Sequence, residues 1–365
     1  MRILRVINSL HTGGAERSLS VNVPQHIKNG YLTDVLLLDS TVTSFYEVLK
    51  EANVKIYSFN GRSIYNPLYI FKIRKYLRQY DIIHVHLFPA LYWVAIAKLI
   101  FSTKAKLLFT EHATHNKRRD HRITRLLDRI IYRTYDKIIA ISHETKVNLV
   151  QQIDVNPNKI IVIENGVDFA QLNNEARKHI DSIFMGKKIL LQVASFRDAK
   201  DQDTLIRALS ILPKEYVAIF VGDGYRLKAC GDLAEKLGVA NRVVFYGNSN
   251  SVGEFYNLAH ITIISSHWEG FGRAAVESMS LKTPVLASNV KGLSQVVNNE
   301  DLLFSPGNEN ELAEKIMWLS SNSKIYEKYT SLCFEESKKY DAQKMIFKYE
   351  QLYDELLSHQ KNSNP

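Results

Sequence analysis

The chain has 365 residues, of which 45% are hydrophobic, and it carries 16 glycines, 8 prolines and a net charge of +9. This length and composition can supply two buried cores, which excludes an intrinsically disordered chain. The most hydrophobic long segment, residues 90–101, is short and contains Lys98, so a buried helix is favoured over a membrane span. The first residues predict a strand rather than a signal peptide, and the two distant cysteines predict a reducing cytoplasm and no structural metal.

Short apolar runs alternate with helical patterns through residue 163. The runs predict strands at residues 3–7, 34–38, 55–59, 82–86, 106–110, 137–140 and 160–163. Because amphipathic segments separate most of these runs, they predict a doubly wound parallel sheet. Such sheets bind ligands at the carboxyl ends of their strands, so the residues directly after each run are candidates for a site.

Two strand ends of this first series carry candidate residues. Gly13 and Gly14 follow the first strand, where a glycine pair by itself predicts only a tight turn into a helix, and the G-x-G-x-x-G dinucleotide spacing is absent. His112 follows the fifth strand, where a histidine is often a surface turn residue. His84 and His86 lie on one face of the fourth strand as a possible metal pair, but no third ligand is spaced to complete the set.

The first half of the chain is the basic half, because residues 1–180 contain 26 Lys and Arg against 15 Asp and Glu. Its densest segment, residues 117–133, predicts a helix with an apolar stripe formed by Ile123, Leu126, Leu127, Ile130 and Ile131. One interpretation is a solvated helix packed on its own domain, and the other is docking to an anionic membrane or a phosphate-bearing lipid. The cations that would face the membrane are Lys117, Arg118, Arg119, Arg122, Arg125 and Arg129. No nucleic-acid-binding motif is present, which argues against nucleic acid as a partner.

A second series of strands begins after the turn signal at residues 164–168. Its predicted strands are residues 188–193, 216–221, 243–246, 261–264, 284–287 and 302–304. Helical patterns at residues 309–320, 324–338 and 342–357 close the chain. The sequence therefore predicts an α/β protein with two doubly wound parallel sheets.

A loop after the first strand of the second series contains two cations. Arg197 and Lys200 precede a helical pattern at residues 204–212, and their ordinary role would be solvation. Asp201 and Asp203 form a D-x-D that superficially suggests a metal site. We reject a metal there, because these acids lie at the start of the helix, where aspartate is an ordinary cap.

The segment from residue 266 to 277, S-H-W-E-G-F-G-R-A-A-V-E, is the most informative part of the chain. Gly270 and Gly272 allow the backbone to approach a ligand closely, and the helix after them offers free amides and a positive dipole end to an anion. Glu269 would lie at the mouth of that helix and Glu277 roughly two turns inside it, where both can accept hydroxyl protons. Each acid also has an ordinary interpretation, Glu269 as a helix N-terminal acid and Glu277 as an ion-pair partner of the arginine four residues earlier.

Together with the adjoining S-M-S-L-K-T-P-V-L-A-S, this segment resembles the donor-sugar site of family 4 of the retaining GT-B glycosyltransferases. The resemblance covers nearly the whole chain. It implies two Rossmann-like domains that face each other across a cleft, residues 1–167 for the acceptor and residues 168–340 for the nucleotide sugar. It also implies that a C-terminal helix, residues 341–358, crosses back to the first domain.

The resemblance also implies roles for individual residues. By position, Glu269 contacts hydroxyls of the transferred sugar and Glu277 contacts the ribose, while Lys200 and Arg197 neutralise the departing diphosphate. His112 lies beside the reacting sugar. The remaining donor-site residues are Gly13, Gly14, Gly222, Asp223, Tyr246, Gly270, Phe271 and Gly272. The family's usual arginine stands two residues before Arg197, so this chain departs from the pattern there.

The implied function is that of a retaining, metal-independent hexosyl- or N-acetylhexosaminyltransferase that needs no cofactor. It would move a sugar from a nucleoside-diphosphate sugar, UDP-sugar first, to a glycan or polyprenyl-diphosphate-linked acceptor in cell-surface polysaccharide or lipopolysaccharide synthesis. The expected location is the cytoplasm, or the inner face of the plasma membrane as a peripheral protein. A GT-B-like nucleotide-sugar epimerase and a non-catalytic nucleotide-sugar-binding subunit are the alternatives, and acceptor-dependent release of nucleoside diphosphate separates a transferase from an epimerase.

Overall fold

The computed structural model describes residues 1–11, 13–59, 63–113, 116–175, 186–249 and 251–361. The chain forms two compact units. Unit 1 consists of Met1–Gly166 and the C-terminal segment that begins at Ala342, and unit 2 is Val167–Asp341.

Within the described residues, unit 1 contains a seven-stranded parallel sheet with the order β3-β2-β1-β4-β5-β6-β7. The strands are β1 Arg2–Ile7, β2 Leu32–Leu37, β3 Ile56–Ser58, β4 Ile82–His86, β5 Lys106–Glu111, β6 Lys137–Ala140 and β7 Ile160–Val162. The helices between them are α1 Gly14–Lys28, α2 Ser44–Glu51, α3 Tyr69–Leu77, α4 Ala90–Ile100, α5 Arg122–Arg133 and α6 His143–Ile153. The winding direction reverses between β1 and β4, which makes their carboxyl ends the switch point of this sheet.

The described part of unit 2 contains a six-stranded parallel sheet with the order β10-β9-β8-β11-β12-β13. The strands are β8 Lys188–Val193, β9 Tyr216–Val221, β10 Val243–Gly247, β11 Ile261–Ile264, β12 Val285–Ser288 and β13 Leu303–Phe304. The helices are α7 Phe169–Glu175, α8 Gln202–Ile211, α9 Leu227–Lys236, α10 Gly253–Leu258, α11 Arg273–Ser280, α12 Leu293–Val297, α13 Glu309–Ser320 and α14 Ser323–Ser337. Here the winding reverses between β8 and β11.

The central strands are apolar on both faces because helices cover both sides of each sheet. The strand β9, with the sequence Y-V-A-I-F-V, is buried at every position, and β1 is buried at all positions after Arg2. The strands lie within two residues of their predicted positions. The prediction of an α/β protein with two doubly wound parallel sheets is confirmed.

The last helix, α15 Ala342–Lys361, belongs to unit 1. One face of it packs on the sheet through Ala342, Met345, Ile346, Tyr349, Leu352, Tyr353 and Leu356. These residues meet Ile3, Ile82, Leu108 and Ile139 from four neighbouring strands. Glu350 adds a polar contact, because it accepts a hydrogen bond from Asn29 at 2.9 Å and lies 2.9 Å from His26 Nδ1. None of the helices described combines the length and the hydrophobicity that crossing a bilayer requires.

Candidate functional site

The candidate donor site of unit 2 lies at the switch point of its sheet, where the loops after β8 and β11 are neighbours. Two hydrogen bonds hold these loops together. The Ser265 hydroxyl donates to the carbonyl of Asp201 at 2.7 Å, and the His267 amide donates to the carbonyl of Ala199 at 2.9 Å. The strand order therefore brings together two segments that are about 70 residues apart in the sequence.

Lys200 and Glu269 meet at this point. The Lys200 ammonium donates to Glu269 Oε2, and each side chain is 17% exposed, so the pair is partly buried and still reached by solvent. The other oxygen of Glu269 accepts from the Gly270 amide at 3.2 Å. Two residues that the sequence assigns to the site are thus in direct contact, one able to meet an anion and the other able to accept hydroxyl protons.

The glycine turn after Glu269 depends on close packing against the start of α12. Gly272 has φ 81° and is the N-cap of α11, and a Cβ there would lie 2.5 Å from Leu293 Cδ2. Gly292 has φ 90°, and a Cβ there would lie 2.4 Å from the Glu269 carbonyl oxygen. Gly272 has no side chain to cap α11, and its carbonyl accepts from the Ala275 amide at 2.9 Å, so the turn brings the positive dipole end of the helix close to Glu269. Gly292 was not predicted, and its only sequence signal is a glycine directly before a short helix.

Glu277 is buried within α11, with 3% of its surface exposed. It accepts from Arg273 Nε at 2.8 Å and from the Tyr256 hydroxyl at 3.0 Å. The ordinary interpretation of Glu277 as an i,i+4 partner of Arg273 is therefore realised. Since α11 begins at Arg273, Glu277 lies about one turn inside the helix and not two as predicted. Tyr256 on α10 was not predicted, because nothing in the sequence pairs it with Glu277.

The remaining donor-site candidates follow β8, β9 and β10. Gly222 has φ 140°, and a Cβ there would lie 2.1 Å from the Ala194 carbonyl oxygen, so these two loops are in contact. Asp223 accepts from the next amide at 2.7 Å. Tyr246 is 51% exposed. Arg197 is exposed, and its guanidinium has no hydrogen-bond or ion-pair partner among the described residues. Phe271 is buried and packs edge-on against Tyr340.

Unit 1 contains a second group of predicted residues, His84, His86 and His112, which we call the histidine cluster. His86 Nδ1 lies 3.0 Å from His112 Nε2, and the rings of His84 and His86 stack at 4.5 Å. Arg5, buried on β1, donates from Nε to His86 Nε2 at 3.1 Å. Tyr353 from α15 lies 2.8 Å from His84 Nδ1. The switch point of this sheet thus contains the candidate acceptor-side histidine together with two residues that the sequence did not single out, Arg5 and Tyr353.

The histidine cluster is held neutral by its surroundings. Burial and the Arg5 charge lower the pKa of His84 and His86 well below the ordinary value of 6.5, and the same causes lower the pKa of His112 to about 3. All four ring nitrogens of His84 and His86 are engaged in hydrogen bonds, which leaves none for a metal. In the part of the chain that the structure describes, no group of three or more His, Cys, Asp or Glu is arranged to hold a metal ion.

The first glycine loop lies at the same edge of unit 1. Gly13 is the N-cap of α1, and its φ of −170° is extended backbone that any residue can adopt. A Cβ on Gly13 would meet only the flexible end of Glu16, and a Cβ on Gly14 would meet nothing. Thr12 lies outside the described residues. The glycine pair therefore leaves open space at the start of α1 and is not required by the local backbone.

The prediction that Arg118 and Arg119 face a membrane is wrong. Arg119 is 3% exposed, donates to the Glu111 carboxylate, and donates to Asp128 at 3.3 Å. Arg118 donates to the same Asp128 at 3.2 Å. Both cations therefore turn inward to pair with the buried carboxylates of Glu111 and Asp128. These pairs matter because an unpaired buried charge would cost several kcal/mol. The side chain of Lys117 lies outside the described part of the chain.

The outer face of α5 is apolar and is flanked by arginines. Arg122 and Arg125 are exposed, whereas Arg129 pairs with Asp154 and Ile131 is buried. The exposed apolar side chains of this face, with their exposed fractions, are Ile123 at 77%, Leu126 at 58%, Leu127 at 45% and Ile130 at 48%. We call these four residues with Arg122 and Arg125 the α5 face. Single exposed apolar residues are common on soluble proteins, whereas these four neighbours on one helix form a continuous apolar patch.

Two family models match the chain, one after the other. The model described as Glycosyltransferase Family 4 matches residues 12–171, and the model described as Glycosyl transferases group 1 matches residues 173–332. Between them, the two matches take in most of the described residues of both units.

Individual proteins are similar over most of the chain. The N-acetyl-alpha-D-glucosaminyl L-malate synthase of Bacillus anthracis is 25% identical over 295 residues, which is 77% of this chain and 76% of that protein. The N-acetylgalactosamine-N,N'-diacetylbacillosaminyl-diphospho-undecaprenol 4-alpha-N-acetylgalactosaminyltransferase of Campylobacter jejuni is 22% identical over 358 residues, 93% of this chain and 95% of that protein. Among solved structures, Anabaena HepE in complex with UDP and glucose has a TM-score of 0.86 at 21% identity and covers 98% of this chain and 100% of its own.

Proposed function

The chain belongs to family 4 of the glycosyltransferases, and from that membership we propose that it transfers a sugar from a UDP-sugar to a glycan or polyprenyl-diphosphate-linked acceptor with retention of configuration. The main support for the proposal is the contact between Lys200 and Glu269 beside the glycine turn that precedes α11. A cation, a carboxylate and the N-terminal end of a helix at one strand edge match the chemistry of a sugar joined to a diphosphate.

Unit 2 would bind the donor. Transfer breaks the bond between the anomeric carbon and the phosphate oxygen, so negative charge develops on the departing diphosphate. Lys200, Arg197 and the positive dipole end of α11 would stabilise that charge without a metal ion. Lys200 pairs with Glu269, and a bound diphosphate would compete for its ammonium. Glu269 would then accept hydrogen bonds from sugar hydroxyls, and Glu277 would accept one from the ribose.

Unit 1 would bind the acceptor. The acceptor hydroxyl would attack from the face that the diphosphate leaves, its oxygen forming the new bond while its proton goes to the departing phosphate oxygen. His112 at the switch point of unit 1 is the candidate contact to the reacting sugar. The name of the Campylobacter relative includes an undecaprenol-linked acceptor, and the HepE structure contains UDP and glucose, which supports these two ligand classes for this chain.

We also propose that the α5 face docks on an anionic bilayer at the inner side of the plasma membrane, where a lipid-linked acceptor for cell-surface polysaccharide or lipopolysaccharide would be presented. Its apolar residues would enter the interface between headgroups and acyl chains, and Arg122 and Arg125 would pair with lipid phosphates. Each cation near such a surface contributes about 1 kcal/mol. The charge complementarity favours a membrane over a second copy of this basic unit.

An assay of nucleotide release tests the proposed reaction. The protein is incubated with a panel of UDP-sugars, with and without a polyprenyl-diphosphate-linked glycan acceptor, and free UDP is measured. A transferase releases UDP only when the acceptor is present, whereas an epimerase changes the sugar without acceptor and a binding subunit does neither. Lys200→Ala should lose the release, and Lys236→Ala, an exposed lysine on α9, should keep it.

A further inference from the structure

Arg5 is the centre of a buried polar cluster that the proposed reaction leaves unexplained. It lies on β1 and is 1% exposed. Its Nε donates to His86 Nε2 at 3.1 Å, its Nη1 donates to the Tyr353 hydroxyl at 2.8 Å, and its guanidinium lies 5.5 Å from the centre of the Tyr349 ring. Burying a charged side chain in the middle of a strand costs free energy, which suggests that Arg5 has a functional role.

The direction of the hydrogen bonds is determined by Arg5, because a guanidinium has donors only. His86 must accept at Nε2, and a neutral imidazole that accepts there carries its proton on Nδ1. That proton points to His112 Nε2 at 3.0 Å, which must therefore accept. A neutral His112 is left with its proton on Nδ1.

The charges around the cluster agree with this assignment. Burial and the nearby Arg5 charge disfavour a protonated imidazole and lower the pKa of His86 well below its ordinary value and that of His112 to about 3. A doubly protonated His86 could not accept from Arg5, so the hydrogen bond and the electrostatics both require the neutral form.

We propose that Arg5 and His86 are positioning residues that fix His112 as a hydrogen-bond donor, through Nδ1, to an oxygen of the bound sugar. The Nδ1 atom forms no hydrogen bond with a described residue, and Nε2 is occupied by His86. His112 then cannot take a proton from the acceptor hydroxyl, which excludes it as a general base. The identity of the ligand rests on the proposed function, whereas the position of the proton does not.

The second hydrogen bond of Arg5 provides a matched control. Tyr353 accepts from Arg5 and must donate its own proton to His84 Nδ1, whose Nε2 then donates to Thr110 Oγ1 at 2.7 Å. This branch continues from Thr110 to the Tyr349 hydroxyl and includes no hydrogen bond to His112. Tyr353→Phe therefore removes one hydrogen bond from the same guanidinium and leaves the branch to His112 in place.

The test is a ¹⁵N NMR measurement of the full-length protein labelled at histidine, at pH 7 and without ligands. The signals of His112 are assigned by their loss in His112→Asn. The parent, Tyr353→Phe and His86→Gln should show His112 protonated at Nδ1, because a glutamine can accept from Arg5 and donate to His112 as histidine does. His86→Leu should show a mixture with the Nε2-protonated form. A parent protonated at Nε2, or a His86→Leu spectrum identical to that of the parent, would overturn the proposal.

Kinetics add an independent readout once a donor and an acceptor are known. Loss of one neutral hydrogen bond predicts a fall in kcat/KM of roughly tenfold for His86→Leu, with rescue in His86→Gln. Equal kcat/KM for these two variants would remove the link to transfer. Where His86→Leu does not fold, the parent spectrum still decides the proton position. A protein without transferase activity but with the Nδ1-protonated His112 would refute the proposed function and leave the positioning intact.

Discussion

Replacing Glu277 with glutamine should destabilise unit 2 and weaken nucleotide binding at the same time. Glu277 is 3% exposed and accepts from Arg273 at 2.8 Å and from Tyr256 at 3.0 Å. Glutamine keeps the shape but has a single acceptor oxygen and no charge, so one donor loses its partner and Arg273 loses its counter-ion. Breaking a buried pair costs about 3–5 kcal/mol, and because the Arg273 side chain is 19% exposed, we expect about 2–3 kcal/mol of unfolding free energy.

The effect on binding has a different origin. The proposed contact is a charge-assisted hydrogen bond from a ribose hydroxyl to the Glu277 carboxylate, and its loss should cost about 1.5–3 kcal/mol, or roughly 10- to 150-fold in Kd for UDP. Isothermal titration calorimetry of UDP binding measures this change at a temperature where the variant is folded. Urea unfolding of the same samples measures the stability.

Two further variants separate the effects. Tyr256→Phe removes a hydroxyl donor but keeps the charge of Glu277, so it should cost about 1 kcal/mol of stability while changing Kd by less than about threefold. Glu314→Gln, on the exposed side of α13, should change neither quantity. An unchanged Kd in Glu277→Gln would refute the ribose contact, and an unchanged unfolding free energy would refute the account of the buried pair.

The other predictions concern the diphosphate site, the glycine turn, the α5 face and the histidine cluster. Lys200→Ala should lower kcat by about 100-fold or more with little change in Tm, and normal turnover would remove Lys200 from the diphosphate site. Gly272→Ala should lower the free energy of unfolding by more than the roughly 1–2 kcal/mol expected for a positive φ alone, because the new Cβ would clash with Leu293. Gly238 has φ 67° and open space around it, so Gly238→Ala should show only the smaller cost; urea unfolding measures both variants. Ile123→Glu should abolish sedimentation with anionic vesicles and Leu332→Glu on α14 should not; equal vesicle binding by the two variants would contradict docking through α5. The free energy of unfolding should fall as the pH drops below about 6.5, by up to about 1.4 kcal/mol per pH unit for each member of the histidine cluster. The reason is that the unfolded chain binds protons that the folded chain excludes. A urea concentration at the unfolding midpoint that stays the same between pH 7 and pH 5 would contradict the neutral cluster.

The donor-site residues of unit 2 could be predicted because strand periodicity identifies the loop residues at the carboxyl end of each strand. Lys200 lies in the loop after β8 and Glu269 in the loop after β11, and a doubly wound sheet brings such segments to one edge. Tyr256 and Gly292 could not be predicted in this way. Their contribution depends on which helices pack beside α11, and a sequence pattern carries no information on that packing.

The basic segment shows the limit of helical periodicity. The pattern correctly predicted a helix at α5 and an apolar stripe, yet it could not show that the stripe faces outward and that Arg118 and Arg119 turn inward. Their direction is determined by Glu111 at the end of β5 and by Asp128 within the helix. Only the tertiary fold brings a carboxylate from β5 close to the start of this helix.

Arg5 has a signal in the sequence that lies outside any motif. A charge at the centre of the apolar run R-I-L-R-V-I is unusual for a strand buried on both faces. The position of its partners could not be predicted, because they come from β4 and from a helix that is 348 residues away in the chain.

Sugar transfer with retention can be observed at the anomeric proton of the donor sugar. A ¹H NMR time course monitors the anomeric proton of the sugar in a mixture of the protein, a UDP-sugar and a polyprenyl-linked glycan acceptor. The donor signal should be replaced by a glycosidic product signal of the same anomeric configuration, at the same rate as UDP release and only with acceptor present. A product of inverted configuration would contradict the retaining mechanism, and conversion of the UDP-sugar without acceptor would contradict sugar transfer itself.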